Sequence, residues 1–326
     1  MPTPPRRPHA LGPRALGPRA LGLLALGMLA LTGCGDSYSG PVPGSADAAP
    51  PLNLDPLGDD AFGALVALPR LDHVVFAGLI DRFLVREADQ TLLDYDAWAA
   101  SAEAGILFEQ YLGLLARVDP TALADSAEKQ AFYYNAYNAL TIAGVLAGYG
   151  GDPSWSVSDD GFQFFKDIVF VVGGELLSLD ALENGVMRGA ADHASVLALP
   201  AETRDQVLAW HADLWDAGPL DPRLHVAINC ASLGCPDLLT AFRGPTLEVQ
   251  LAEASARFLA NPRKGAGPDG VSMLFTWFAP DFAVGSYDGP ASFIARWRAG
   301  GTEGVDLGGD LDYSWQLNLG AVPTGD

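Results

Sequence analysis

Residues 126 to 147 carry the strongest local folding instruction in the chain. Asp125 stands at an N-cap position, Glu128 has capping-box spacing, and Gly148, Gly150 and Gly151 supply a stop, so the run predicts a long helix. Its middle, Phe132-Tyr-Tyr-Asn-Ala-Tyr-Asn-Ala139, places Asn135, Asn138 and Ile142 on one side. Asparagine is a poor helix-interior residue because its amide competes for backbone hydrogen bonds. Two of them among three tyrosines predict side-chain clamps, on neighbouring backbone or on a ligand.

Apolar positions three and four apart predict two helices within residues 60–89, separated near Pro69, and a further helix over 101–117 after a connection from Leu92 to Trp98. Ile168 to Val172 and Leu176 to Leu179 flank Gly173-Gly174-Glu175 and read as a short hairpin. Asp180 is placed to cap a short helix that holds Glu183 and Arg188, which are five apart and off a common face of an α-helix. Residues 202–215 and 247–260 read as helices, Arg223 to Ile228 as a strand, Pro236 to about Phe242 as a helix, and 271–278 as a strand or a strand leading into a turn. The tail after Gly300 shows little sign of a core element before Trp315. The expected fold is therefore α+β: a helix-rich single domain with a small antiparallel sheet, over residues 57–326.

The N-terminal region asks for a different reading. Residues 1–22 hold Arg6, Arg7, Arg14 and Arg19 without an acid, and 20–31 are apolar over a length that suits a signal-peptide core rather than a bilayer span of about 20 residues. Leu31-Thr32-Gly33-Cys34 follows and resembles a lipobox, which predicts a lipoprotein signal peptide over 1–33 with Cys34 as the lipid-bearing residue. Residues 34–56 are rich in Gly, Pro and Ser and read as a flexible tether. With Gly35 rather than an acid directly after the cysteine, the expected location is the cell envelope: lipid-anchored at the outer membrane and facing the periplasm. Loss of the four arginines leaves 15 basic against 40 acidic side chains, a net charge near −25. Such a balance disfavours nucleic acid as a partner and leaves the membrane, a small ligand or an envelope protein.

The segment Arg223 to Pro236 (RLHVAINCASLGCP) is where chemistry concentrates. As a strand it would line up Arg223, His225, Ala227 and Asn229 on one face, a row of polar groups that is costly to bury without partners. Cys230 follows at the strand end, where a thiol near helix amides can act as a nucleophile. A straight strand would hold His225 about 16 Å from Cys230, too far for a direct dyad, and leaves His193 or His211 as other bases. Cys230 and Cys235, five apart in an oxidising compartment, also suit a structural disulfide; two buried free thiols or a metal site are further alternatives.

Four segments, Phe132 to Leu140, Leu179 to Arg188, Asp221 to Pro236 and Phe275 to Phe282, together resemble a DUF547-family domain over about residues 110–285. The resemblance implies a bacterial envelope domain, often a lipoprotein, with no assigned activity. Its signature residues fall here on Asn135, Asn138, Glu183, Arg188, Asp221, Arg223, His225, Asn229, Cys230, Ser232, Cys235, Pro236, Asp281 and Phe282. A histidine commonly follows the family's glutamate, and Asn184 stands there in this chain.

Two functions follow. One is a noncatalytic domain that binds a small ligand or partner through Arg223, Asn135, Glu183, Arg188 and Ser232, with Cys230 and Cys235 bridged. The other is a cysteine-dependent hydrolase or transferase of acyl or amide bonds, with Cys230 as nucleophile, His225 as base, and Asn229 or Asn138 as oxyanion donor. Neither calls for a cofactor or a resident metal.

Overall fold

The computed structural model describes residues 68–321; the expected signal peptide of 1–33, Cys34 and the expected tether of 34–56 lie outside them. Helix α1 (Val74–Phe83) leads into a hairpin of β1 (Leu84–Arg86) and β2 (Thr91–Leu93), followed by α2 (Tyr95–Ala100) and α3 (Ala102–Arg117). The central helix α4 (Ser126–Gly148) has most of its residues buried on every side. Then come α5 (Asp159–Lys166), the hairpin β3 (Val169–Val172) and β4 (Glu175–Ser178), α6 (Leu179–Ala181) and a π-helical turn, Leu182–Met187. The remaining elements include α7 (Ala194–Leu197), α8 (Ala201–Leu214), α9 (Leu224–Ala227), α10 (Leu247–Ala260), the short pair β5 (Ala266–Gly267) and β6 (Gly270–Val271), α11 (Leu274–Trp277) and α12 (Pro290–Trp297).

The fold is thus helix-rich α+β, and among the described residues its β structure is three separate two-stranded antiparallel sheets rather than one. Among the described residues, no helix is long and apolar enough to cross a membrane. The larger core gathers around α4, α3 and α8, while a smaller aromatic core of Phe258, Phe275, Phe282 and Phe293 holds α10, α11 and α12 together.

Local chemistry explains most boundaries. The Asp125 carboxylate accepts the Glu128 N–H at 2.9 Å, capping α4 as its sequence requires. Glu128 does not complete the box; its carboxylate pairs with Arg70 at 3.2 Å. Ser178, rather than Asp180, caps α6, its hydroxyl accepting the Ala181 N–H at 3.1 Å.

Several expected elements are corrected. Residues 223–228 form no strand; Leu224–Ala227 is one helical turn, buried all round, so its polar and apolar residues do not alternate between core and solvent. Pro236 to Phe242 runs without helix, and of 271–278 only Val271 is strand, the end of β6, which leads through a short turn into α11. The presumed connection at 92–98 contains the end of β2 and most of α2.

The tail is a second departure. Leu317 bridges to Ser232 and Leu319 to Leu93, so residues 314–320 lace the first hairpin to the cysteine loop. Its bonds include Leu93 N–H to Asn318 O at 2.8 Å and Asn318 N–H to Ala231 O at 2.9 Å.

Candidate functional site

A cavity of about 470 Å³ opens where the π-turn, α9, the cysteine loop, α11 and the tail converge. Polar groups on its wall include Glu183, Arg188, His225 and Cys230, and aromatic ones Phe162, Trp277, Tyr313 and Trp315. The last three rings pack edge and face against one another, with centroids 4.5–5.7 Å apart.

The cysteine loop is held from beneath by α4. Asn138 donates to Ala227 O at 3.0 Å, the carbonyl at the end of α9, and accepts the Asn229 N–H at 2.7 Å. Asn135 does the same for Phe242, donating to its carbonyl and accepting its N–H, both at 2.8 Å. Asn229 then closes the loop on itself: its Oδ1 accepts the Ala231 N–H at 2.9 Å and its Nδ2 donates to Pro236 O at 2.7 Å. Ala231 sits at φ +63°, a left-handed conformation that L side chains rarely adopt and that this clamp imposes just after Cys230. The three amides are therefore committed to backbone, and Asn138 and Asn229 lie off the cavity wall as positioning groups instead of oxyanion donors.

Both cysteines are free thiols, so the expected bridge is not formed. The geometry gives the reason: Cys235 Sγ accepts the backbone N–H of Cys230 at 3.0 Å, while Cys230 Sγ turns to Ser232 Oγ at 3.1 Å and Tyr313 Oη at 3.2 Å. Ser232 donates to Tyr313 Oη at 3.1 Å, which leaves the phenol proton for the Cys230 sulfur. Burial would raise the Cys230 thiol, but hydrogen bonds from Cys235, from the Ser232 backbone N–H and from Tyr313 outweigh it and hold the pKa at about 6. Burial pushes Cys235 well above its ordinary value, with the Cys230 thiolate adding to the effect, so Cys235 keeps its proton. Tyr313 keeps its own for the same two reasons.

Glu183 and Arg188 reach the same cavity because the turn between them is a π-helix. The Arg188 N–H bonds Glu183 O at 3.0 Å, an i to i+5 bond that sets residues five apart one above the other. An α-helical reading separates them; the extra residue per turn reunites them. Burial raises the Glu183 carboxyl to about 7, against the lowering effect of Arg188, and the Cys230 charge lies near enough to raise it further. The carbonyls freed at the end of the π-turn are taken by His211 Nδ1, 2.9 Å from Val186 O, and by Trp215 Nε1, 2.9 Å from Met187 O. His211 is thereby spent on structure and does not line the cavity.

His225 lies on the wall with its Nε2 2.9 Å from Asp281 Oδ2, stacked on Phe278 at 4.2 Å. Asp281 also receives Arg188 Nε at 2.5 Å, and Arg188 Nη1 donates to Asn184 Oδ1 at 2.5 Å. Asn184 in turn donates to Asp180 O at 2.9 Å. Burial lowers the His225 imidazole despite its bond to Asp281, while the bonds from His225 and Arg188 keep Asp281 ionised in spite of its burial. The helical turn of α9 brings His225 and Cys230 to one cavity, which a straight strand would not, yet no hydrogen bond joins them among the described residues. His193 reaches the rim, its Nδ1 2.8 Å from Ser195 Oγ.

Arg223 does not reach the cavity. It forks onto Asp221, 2.6 Å from Nη2 to Oδ2, and onto Glu248, 2.7 Å from Nη1 to Oε1, tying α9 to α10. Tyr137, Phe162, Tyr313, Trp277 and Trp315 are among the wall residues that sequence reasoning passed over. The Gly and Asp that precede Tyr313 and Trp315 masked their convergence, and only the order of motifs near Phe275 hinted at it. Among the described residues, no group of three or more His, Cys, Asp or Glu converges to hold a metal.

No curated protein and no solved structure matches this chain. Residues 121–259 match the family described as Protein of unknown function, DUF547, a span that holds Glu183, Arg188, His225 and both cysteines and ends before Trp277, Asp281, Tyr313 and Trp315.

Proposed function

We propose that this protein is a cysteine-dependent hydrolase or transferase of acyl or amide bonds, with Cys230 as its nucleophile. The observation that carries the reading is a free Cys230 thiol on the wall of an open cavity, 3.1 Å from Ser232 Oγ and 3.2 Å from Tyr313 Oη, with Glu183 on the same wall; hydrogen bonding lowers the thiol and burial raises the carboxyl. A noncatalytic binding domain was the reading that required a bridge, and the free, asymmetrically protonated pair favours catalysis over it.

In this scheme the Cys230 thiolate attacks the acyl carbon, and Tyr313 donates its phenol proton as a hydrogen bond to the developing oxyanion. The bond to the leaving amine, thiol or alcohol breaks, and the leaving group takes the proton of Glu183. Water or an acceptor nucleophile then returns a proton to the Glu183 carboxylate as it attacks the thioester, and the Cys230 thiolate leaves. His225, oriented by Asp281, and Arg188 form the polar wall that positions the substrate. The envelope location and lipid on Cys34 belong to the same proposal and rest on the run Leu31 to Cys34.

The test uses the full chain, reduced, with acyl thioesters and aryl esters as probes. Rapid quenching is expected to trap an acyl group on the tryptic peptide 224–243, and Cys230→Ser is expected to abolish both adduct and turnover. Turnover that survives Cys230→Ser would retire the mechanism. Metabolic labelling with a fatty-acid analogue, compared with Cys34→Ser, tests the anchor; label retained in that variant rules it out.

A further inference from the structure

We propose that Cys230 is also a site of reversible oxidation by hydroperoxides, with Cys235 as its resolving thiol, so that a Cys230–Cys235 disulfide switches the acyl-transfer site off. This rests on reading Cys230 as the reactive thiol of that site.

Four observations converge on the pair. Cys230 is half-buried and faces the cavity, whereas Cys235 is 5% exposed, so a small oxidant entering the cavity meets Cys230 first. Cys235 Sγ lies 3.0 Å from the backbone nitrogen of Cys230. A cysteine sulfur gauche to its own nitrogen also stands about 3 Å from it, so one rotation about Cα–Cβ of Cys230 turns its sulfur toward Cys235. The loop ends are already tied by Asn229 to Pro236 O at 2.7 Å, and the turn inside is closed by Cys235 N–H to Ser232 O at 3.1 Å. Bridging therefore asks for a side-chain rotation rather than a change of fold. Finally, Cys235 is already a hydrogen-bonding neighbour of the Cys230 thiol, and its contact with Ile228 O is long, at 3.9 Å.

The chemistry balances in two steps. The Cys230 thiolate attacks one peroxide oxygen, the O–O bond breaks, and the electron pair leaves as hydroxide or alkoxide, which takes a proton from solvent; Cys230 becomes a sulfenic acid. Cys235 sulfur then attacks the Cys230 sulfur, the S–O bond breaks, and water leaves with the Cys235 proton. Two electrons pass from the two thiols to one hydroperoxide. In the bridged form Cys230 no longer has a thiolate to offer, and its bonds to Ser232 and Tyr313 are lost. A small dithiol reverses the bridge by exchange.

The experiment treats the reduced full chain with one equivalent of hydrogen peroxide, alkylates it under denaturing conditions, and measures the mass of tryptic peptide 224–243. The expected product is a peptide that has lost two hydrogens and takes no alkylating reagent until dithiothreitol is added, with acyl turnover falling at least tenfold and returning on reduction. Cys235→Ser, and Cys235→Ala as a second variant, should instead accumulate a dimedone-reactive sulfenic acid on Cys230. A wild-type peptide in which Cys235 is alkylated, whether Cys230 is oxidised or untouched, overturns the redox pair. The mass readout needs no substrate, so the two ideas separate. Bridging without acyl turnover retires the acyl-transfer reading, and turnover without bridging retires the redox pair.

Discussion

Cys230 and Glu183 share a cavity with their proton affinities nearly crossed, one near 6 and the other near 7. If catalysis needs the thiolate and the carboxylic acid together, kcat/KM should follow a bell with an acid limb near 6 and an alkaline limb near 7. Glu183→Gln should remove the alkaline limb and lower the rate about 100-fold; an unchanged profile would remove Glu183 from the mechanism. The same carboxyl makes a stability statement. Its pKa is raised on folding, from 4.5 to about 7, so its contribution is complete below 4.5 and is lost as pH rises through 7. Urea titrations should therefore show Glu183→Gln gaining about 1–3 kcal/mol on the wild type between pH 5 and pH 8. Parallel pH dependences of the two proteins would contradict the burial of a protonated acid. Tyr313→Phe takes a donor from the thiolate and should raise the Cys230 pKa by about one unit, read from thiolate absorbance. An unshifted titration would mean that Ser232 and Cys235 suffice.

The π-turn is the element that makes the site. Gly185 lets it lie against α8: a Cβ there would come within 2.4 Å of Val207 Cγ1, a branched side chain with little room to yield. Gly185→Ala is expected to cost about 1–3 kcal/mol by overpacking and to displace Glu183 and Arg188. Full stability with full cavity chemistry would show that the contact is compliant. Helix α9 teaches the complementary lesson. Its alternation of Arg223, Leu224, His225 and Val226 imitates a strand, but every position in Leu224–Ala227 is buried, and Asn138 takes the carbonyl that ends the turn. Period-two patterning reports a strand only when one face meets water. By contrast α4, α8 and α10 were legible within one or two residues, because their caps and apolar spacing are local properties.

Taken whole, the molecule completes its site with chain from outside the matched family span. Residues 314–320 bring Trp315 to the cavity and bond Leu93, Ala231 and Leu233, linking the first hairpin to the cysteine loop. Asn318 is the knot, its Oδ1 accepting the Tyr95 O–H at 2.8 Å and its Nδ2 lying 3.4 Å from Asn229 Oδ1. Asn318→Ala leaves a buried phenol without its acceptor and should destabilise the fold by about 1–3 kcal/mol. It should also loosen the Cys230 turn, seen as faster amide exchange at Ala231. Unchanged exchange would show that the loop stands without the tail.

The amino-acid sequence by itself determined the helix-rich α+β class, the capped central helix, the hairpin after it, and the identity of Glu183, Arg188, His225 and Cys230 as residues to watch. All of these follow from signals a few residues long: caps, periodicity, turn glycines and motif order. Only the tertiary structure decided that the cysteines stand as thiols, that Glu183 and Arg188 share a face, that Asn138 and Arg223 are structural, and that Tyr313 faces Cys230. Each of those outcomes depends on groups brought together from distant parts of the chain, on a π-turn that offsets helical phase by one residue, or on burial that moves a proton. None of these is set by neighbours along the sequence.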